Sequence, residues 1–231
     1  MDDEEVLPST RAGFVTRVGD TVRRPPPSNS VFVRRLLKFF EEAGWTGAPR
    51  FLGVDERGRE ILSYLHGASP AYADPLPGAV TDAGLIRVTE LVRRLHDLTA
   101  GTPLARGQET VCHGDLTPRN TVYQVRGDEA AAVGFIDWDL AFPGPRVHDV
   151  ASLCQFHLGV GVFQRDPDQA ARQLRLITDV YGLEDRSSVI PLIKARLAAF
   201  MSGSELHLEQ IARSVHGWLA DHADIVDRAL S

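Results

Sequence analysis

Three side chains stand at separations that could do chemistry together. Asp115 and Asn120 lie five residues apart on the segment Cys112-His113-Gly114-Asp115-Leu116-Thr117-Pro118-Arg119-Asn120, and Asp137 follows in Phe135-Ile136-Asp137-Trp138-Asp139. Between them, Thr121–Val125 and Ala132–Ile136 read as two short strands around the turn Arg126-Gly127-Asp128, so strand pairing would return Asp137 to the side of Asn120. An amide oxygen and a carboxylate converging at a loop make a hard-oxygen site, suited to Mg²⁺ carrying nucleotide phosphates. A second carboxylate close by, Asp115, could accept a proton from an attacking hydroxyl. Such a set belongs to phosphoryl transfer, where positioning and charge neutralisation matter more than covalent work by the protein.

The elements around this segment must hold it in place. Upstream, Gly13–Val18 and Thr21–Arg24 pattern as strands about the turn Gly19-Asp20, and Pro25-Pro26-Pro27 ends the second. Phe32, Leu36, Phe39 and Phe40 recur at helical spacing within Val31–Ala43, which Ser28, Asn29 or Ser30 would cap and Gly44 would end. Phe51–Val54 and Ile61–Leu65 flank a polar turn, giving a sheet of four strands with one helix. Past the loop-rich junction of His66, Pro70, Pro75 and Pro77 the chain turns helical. A strong amphipathic helix begins at Thr81 or Asp82, and four more helical patterns start near Asp149, Asp168, Ser187 and Ser204. The expected architecture is α+β with two lobes: residues 1–66 as a small β-rich lobe with one helix, and 67–231 as a larger, mostly helical one.

Composition narrows the class. The chain has 231 residues, 43% hydrophobic and 24% charged, with a net charge of −6. That is ordinary globular composition rather than disorder, and its acidic balance argues against nucleic acid as a partner. Two cysteines, Cys112 and Cys154, cannot build a disulfide scaffold. No apolar run approaches the ~20 residues that cross a bilayer, so a soluble cytoplasmic protein without a membrane partner is expected. Among 25 basic residues only Lys38 and Lys194 are lysines, which leaves few candidates for any lysine-dependent step.

His-Gly-Asp-x4-Asn followed by Ile-Asp-Trp resembles the aminoglycoside phosphotransferase-like family of small-molecule kinases, relatives of the protein kinases. Pro143–Ala151 is similar to that family's Gly-Asp-Pro-x-x-Asp-Leu-Ala element, and Gly47–Gly53 to the strand that enters its hinge. The resemblance implies a protein-kinase-like fold, ATP (or GTP) with Mg²⁺, and a small-molecule hydroxyl acceptor such as an aminoglycoside or another polyol or amino alcohol. Carried over, it makes Asp115 the catalytic base, Asn120 and Asp137 the Mg²⁺ ligands, His113 an organiser of the loop, and Asp149 a buried anchor gripping that loop. Ser63 and Leu65 would offer backbone groups to the base of the nucleotide, with Leu52, Leu62 and Ile136 as apolar walls. Arg23, with Arg24 next, aligns with the family's strand lysine, and Val33 falls where a helix glutamate is expected. Few residues precede Phe14, so the first strand and phosphate-covering loop look truncated. These departures keep a second reading open, a nucleotide- or partner-binding module with weak or no catalysis. Asp139 reads as a supporting carboxylate, Trp138 as packing, and Glu205, Glu209, Asp221, Asp224 and Asp227 as a solvated face or an acidic rim for a cationic acceptor.

Overall fold

The computed structural model describes residues 4–7, 15–70, 76–159, 162, 166–201 and 206–231. The expected strand start at Gly13 and Phe14, the junction residue Pro75 and the helix start at Ser204 lie outside them.

An antiparallel five-stranded sheet opens the fold, built from β1 (Glu5–Val6), β2 (Thr16–Val18), β3 (Thr21–Arg24), β4 (Phe51–Val54) and β5 (Glu60–Ser63) in the order β1-β2-β3-β5-β4. The sequence reading had four of these. The fifth, β1, is a two-residue edge strand too short to show a period, and Arg59 ties its approach through Glu4 at 3.0 Å. Opposite residues on β3 and β5 pair as Thr21↔Ser63, Val22↔Leu62, Arg23↔Ile61 and Arg24↔Glu60. Because the side-chain period of a strand is two, this register puts Arg24 across from Glu60 and sends Arg23 to the other face.

Helix α1 (Ser30–Glu42) buries Val33, Leu36, Leu37 and Phe40 on one stripe. Gly44 closes it with φ of 67°, a conformation glycine adopts without strain, while Trp45 N–H returns to the Phe40 carbonyl at 2.9 Å. Asn29 stands at the N-cap position without capping; its Nδ2 instead donates to the Ala141 carbonyl at 3.4 Å, reaching the segment after Asp137. Val33 is fully buried in the core.

The remainder is helical around two small β-pairs. Helix α2 (Asp82–Thr99) is capped by the Thr81 hydroxyl, which accepts Gly84 N–H at 3.2 Å. Strand β6 (Thr110–Cys112) pairs with β9 (Phe142–Gly144), and β7 (Thr121–Arg126) with β8 (Glu129–Phe135). Helices α3 (Val147–Leu158), α4 (Pro167–Tyr181), α5 (Val189–Met201), α6 (Leu206–Asp221) and α7 (Ala223–Leu230) follow. The sequence reading had four helices here; the last divides at His222 into α6 and α7. One buried cluster runs from α1 through Trp45 and Trp138 into α2, α3, α4 and α5. Phe40 packs 4.6 Å from Trp45 and 5.1 Å from Trp138, ring centre to ring centre. Thus the residue beside Asp137 is wedged against the helix of the small lobe.

Candidate active site

The loop 113–120 leaves β6 and enters β7, and the two β-pairs bring its ends beside the segment after β8. Thr121 pairs with Phe135, and one step further Ile136 N–H donates to the Asn120 carbonyl at 2.8 Å. Asp137 is the next residue, so strand register alone delivers it to the side of Asn120. Asn120 turns its Nδ2 to Asp115, donating to the carboxylate Oδ2 at 2.7 Å and to the Asp115 carbonyl at 3.0 Å. The three residues are therefore drawn together, as their spacing predicts.

Asp149 grips this loop. It sits in the first turn of α3, fully buried, and accepts His113 N–H at 2.7 Å and Gly114 N–H at 3.1 Å. His96 of α2 completes the grip through Nε2 at 3.1 Å and itself meets the Tyr181 hydroxyl at 2.6 Å through Nδ1. Burial alone would raise the Asp149 carboxyl, but the His96 hydrogen bond and the nearby His96 and His113 rings hold it below the usual carboxylate range. Cys112 brings its sulfur close to these ligand-type atoms, so His96, Cys112 and Asp149 could be mistaken for a metal site. Each is committed instead to protein partners, with the Cys112 thiol donating to the Pro145 carbonyl at 3.3 Å.

His113 is fully buried, which pushes its pKa down and keeps the ring neutral. Nδ1 must be the bare nitrogen, because it accepts Asp115 N–H at 3.3 Å; Nε2–H then donates to the Ile136 carbonyl at 3.0 Å. The ring thus braces the loop against the residue before Asp137 and packs 4.5 Å from the Trp138 ring. Gly114 is required twice over. Its φ is 83°, and a Cβ there would overlap the Leu140 carbonyl oxygen.

Asp137 takes a left-handed conformation, φ 63°, one of two non-glycine residues with positive φ among the described residues. Aspartate tolerates this region better than most side chains, and the conformation persists because the Ile136 backbone and the Trp138 ring on either side are held by the loop and the core. Half of its side chain is exposed. Desolvation between the lobes, and then the Asp139 carboxylate, raise its pKa, with Arg24 opposing. Those two carboxylates crowding one guanidinium form an excess of negative charge.

Of the strand arginines, Arg24 rather than Arg23 reaches this charge. Its Nη1 lies 2.7 Å from Asp139 Oδ1 and 3.5 Å from Asp137 Oδ1, while its Nε donates to Glu60 Oε2 at 3.2 Å. Arg23 points to the opposite face and donates to the Thr21 hydroxyl at 2.5 Å. The helix position expected to hold glutamate is Val33, but its neighbour Arg34 reaches Glu60 Oε1 at 2.8 Å. Glu60, Arg34 and His96 were not singled out from sequence. The signal for Glu60 was the hairpin register that sets it opposite Arg24, and His96 gave none beyond a polar residue on an apolar helix face.

The remaining candidates fall around the hinge. Ser63 ends β5 and ties to the residue before β4 through both groups, its N–H donating to the Arg50 carbonyl and its Oγ accepting Arg50 N–H at 2.8 Å. Leu65 stands against Gly134 of β8. Leu52 is exposed on β4, Leu62 is buried in the core, and Ile136 is half-buried with both backbone groups engaged. In the helical lobe, Arg196 of α5 donates to Gln155 Oε1 at 2.9 Å and to the His148 carbonyl at 3.3 Å. Burial lowers its pKa against the pull of Asp149 and Asp115. Glu209 pairs with Arg213 along its own helix at 2.7 Å.

A sheet-and-helix lobe packed on a helical lobe, with a His-Gly-Asp loop facing an aspartate across paired strands, defines a kinase-like phosphotransferase fold. Solved structures share it at low identity. A GDP and kanamycin complex of an aminoglycoside 2″-phosphotransferase matches with a TM-score of 0.58 and 14% identity, covering 98% of this chain and 92% of that one. An ethanolamine kinase of Plasmodium vivax matches with a TM-score of 0.54 and 9% identity, covering 98% and 82%. The family model APH, described as "Phosphotransferase enzyme family", matches residues 98–189. A trifolitoxin immunity protein of Rhizobium leguminosarum bv. trifolii is 31% identical over 210 residues, spanning 79% of this chain and 76% of that protein. The chain belongs to the phosphotransferase enzyme family of aminoglycoside phosphotransferase-like proteins.

Among the described residues, no helix is long and apolar enough to cross a membrane.

Proposed function

We propose that this protein transfers the γ-phosphoryl group of ATP or GTP to a hydroxyl of a small molecule, in a cleft between residues 1–66 and 67–231. The observation that carries the reading is the gathering of Asp115, Asn120 and Asp137 on one gripped loop and its paired strand. Asp115, steadied through one oxygen by Asn120 Nδ2, uses its carboxylate to orient the acceptor hydroxyl and take its proton. With Nδ2 spent on Asp115, the amide oxygen of Asn120 is left to face elsewhere, and Asp137 offers a half-exposed carboxylate. Both are hard-oxygen donors, so the residues present fit a Mg²⁺ ion. Such an ion supplies charge neutralisation to the phosphate oxygens. His113, neutral and doubly hydrogen-bonded, keeps the loop and the Ile136–Asp137 segment at fixed spacing. On this reading the base of the nucleotide would lie on the hinge side, toward Ser63, Leu65, Leu52 and Ile136.

Two similar proteins are linked by name to toxic compounds, one to immunity against trifolitoxin and one to kanamycin. A toxic small molecule as acceptor is therefore the first class to try. The test is transfer of labelled phosphate from ATP and from GTP to aminoglycosides, trifolitoxin, ethanolamine and simple polyols. Activity in the wild type that falls by about 10³-fold in Asp115→Ala supports the reading; activity that survives the substitution rejects Asp115 as base. The second reading, a binding module without catalysis, is favoured by an arginine, Arg24, in place of the family's strand lysine and by Val33 on α1 where its helix glutamate is expected. It predicts nucleotide or partner binding with no transfer to any acceptor.

A further inference from the structure

The least expected feature of the site is a buried anion on β5. The Glu60 side chain is 1% exposed, and a carboxylate so placed is costly unless both oxygens meet charged donors. Both do. Arg24 of β3 takes Oε2 and Arg34 of α1 takes Oε1, each through Nε. A contact through Nε fixes the plane of the Arg24 guanidinium and leaves its outer nitrogens to point onward. They point into the site, where Nη1 stands between Asp139 and Asp137. A cation held 3.5 Å from a candidate metal-ligand carboxylate is within reach of a phosphate bridged to the same ion.

We propose that Glu60 positions Arg24 as the phosphate-holding cation of this site, with Arg34 as the strut that ties the pair to α1. The usual polarity is thereby reversed: the acid sits on the sheet and the helix supplies a base. A fixed guanidinium with several donors replaces a mobile ammonium, and the affinity it contributes depends on the cross-strand register of β3 and β5 rather than on a helix carboxylate. This inference rests on the phosphotransferase reading above.

The experiment compares binding of Mg²⁺–ATP and of adenosine, with Mg²⁺–GTP and guanosine in parallel, to the full chain and its variants. Adenosine or guanosine reports an intact cleft; the triphosphate reports the phosphate contact. Arg24→Met should weaken the triphosphate by about 30-fold and leave the nucleoside unchanged. Arg24→Lys should recover part of the loss, and Glu60→Gln should weaken the triphosphate by about 5-fold. Glu60→Gln should add nothing once Arg24 is already Met, because Glu60 acts through Arg24. The exposed Arg35→Ala serves as the neutral control. Folded Arg24→Met or Arg24→Lys and Glu60→Gln with wild-type triphosphate affinity would overturn the proposal and leave the phosphotransferase reading standing. Equal losses for nucleoside and triphosphate would also overturn it, reducing the triad to a structural ion pair. A wild type that binds no nucleotide would overturn the phosphotransferase reading and this proposal with it.

Discussion

The loop gripped by Asp149 and the sheet centred on Glu60 each hold a buried carboxylate, yet they solve its burial differently. Asp149 is surrounded by neutral or weakly charged donors: two backbone N–H groups and a histidine. Glu60 is flanked by two permanent cations. The first arrangement fixes backbone, because the donors are the main chain of the loop itself. The second aims a side chain, because the donors are long arginines and the outer nitrogen of Arg24 reaches on to Asp139 and Asp137. Rigidity is thus concentrated in the backbone of the loop proposed to carry the proton acceptor and a metal ligand, and a guanidinium oriented by Glu60 is set opposite. The lesson is that a buried charge does different work according to whether main chain or side chain answers it.

Substitution should separate the two directly. Asp149→Ala removes the anion that gathers His113, Gly114 and His96, and should cost about 3–5 kcal/mol in urea unfolding. Glu60→Gln, by contrast, should cost no more than about 1–2 kcal/mol, since Arg34 can turn to solvent and Arg24 keeps Asp139. Equal costs would erase the distinction. Gly114→Ala tests the backbone side of the comparison: positive φ and overlap with the Leu140 carbonyl should together cost about 2–3 kcal/mol, read as a lowered urea midpoint with unchanged slope.

Acid sharpens the contrast further. His157 of α3 is buried against the Tyr123 hydroxyl, and burial pushes its pKa down to about 3; His113 is shifted the same way. Below about 6.5 the unfolded histidines take up protons that the folded ones refuse, so stability is full above that pH and falls as pH drops toward 3. The expected loss at pH 5 is about 2 kcal/mol from His157, with His113 adding to it in the same direction. His157→Gln should flatten the Tm profile between pH 7 and 4. The smallest effect is expected at Asp137, whose raised pKa means its charged form is disfavoured in the folded chain. Asp137→Asn should raise Tm by about 2 °C at pH 7 while abolishing metal-dependent nucleotide binding. A lowered Tm would show that Arg24 needs that charge.

How much of this was readable in the sequence follows the same division. The helical region's site lies in one stretch, 113–149, where short spacings and a two-strand return fix the geometry; Asp115, Asn120 and Asp137 could be brought together on paper. Likewise the cap of α2 follows from local pattern, but the stripe of α1 only in part: Leu36 and Phe40 are buried as expected, while Val33 and Leu37 complete the stripe and Phe32 and Phe39 lie at its edge, half-buried. Around Glu60 the partners are 36 and 26 residues away, Arg24 linked by cross-strand register and Arg34 by the packing of α1, and neither by motif. Reading Arg23 as the inward cation differs from the observed Arg24 by one residue, which on a strand is the opposite face. Strands β1, β6 and β9 have two or three residues each and carry too little periodicity to be seen. Nor does pattern reveal that Asp139, taken as a supporting group, shares Arg24 with Asp137.

The central claim is that Asn120 and Asp137 hold one divalent cation and the phosphate it carries, beside Asp115. Calorimetric titration of ATP and GTP into the wild type, Asn120→Ala and Asp137→Asn, each with Mg²⁺ and with EDTA, tests it most directly. The account predicts wild-type binding that weakens at least about tenfold in EDTA, and that each substitution abolishes this metal dependence. Binding indifferent to EDTA, or a Mg²⁺ dependence that survives in both variants, would contradict it.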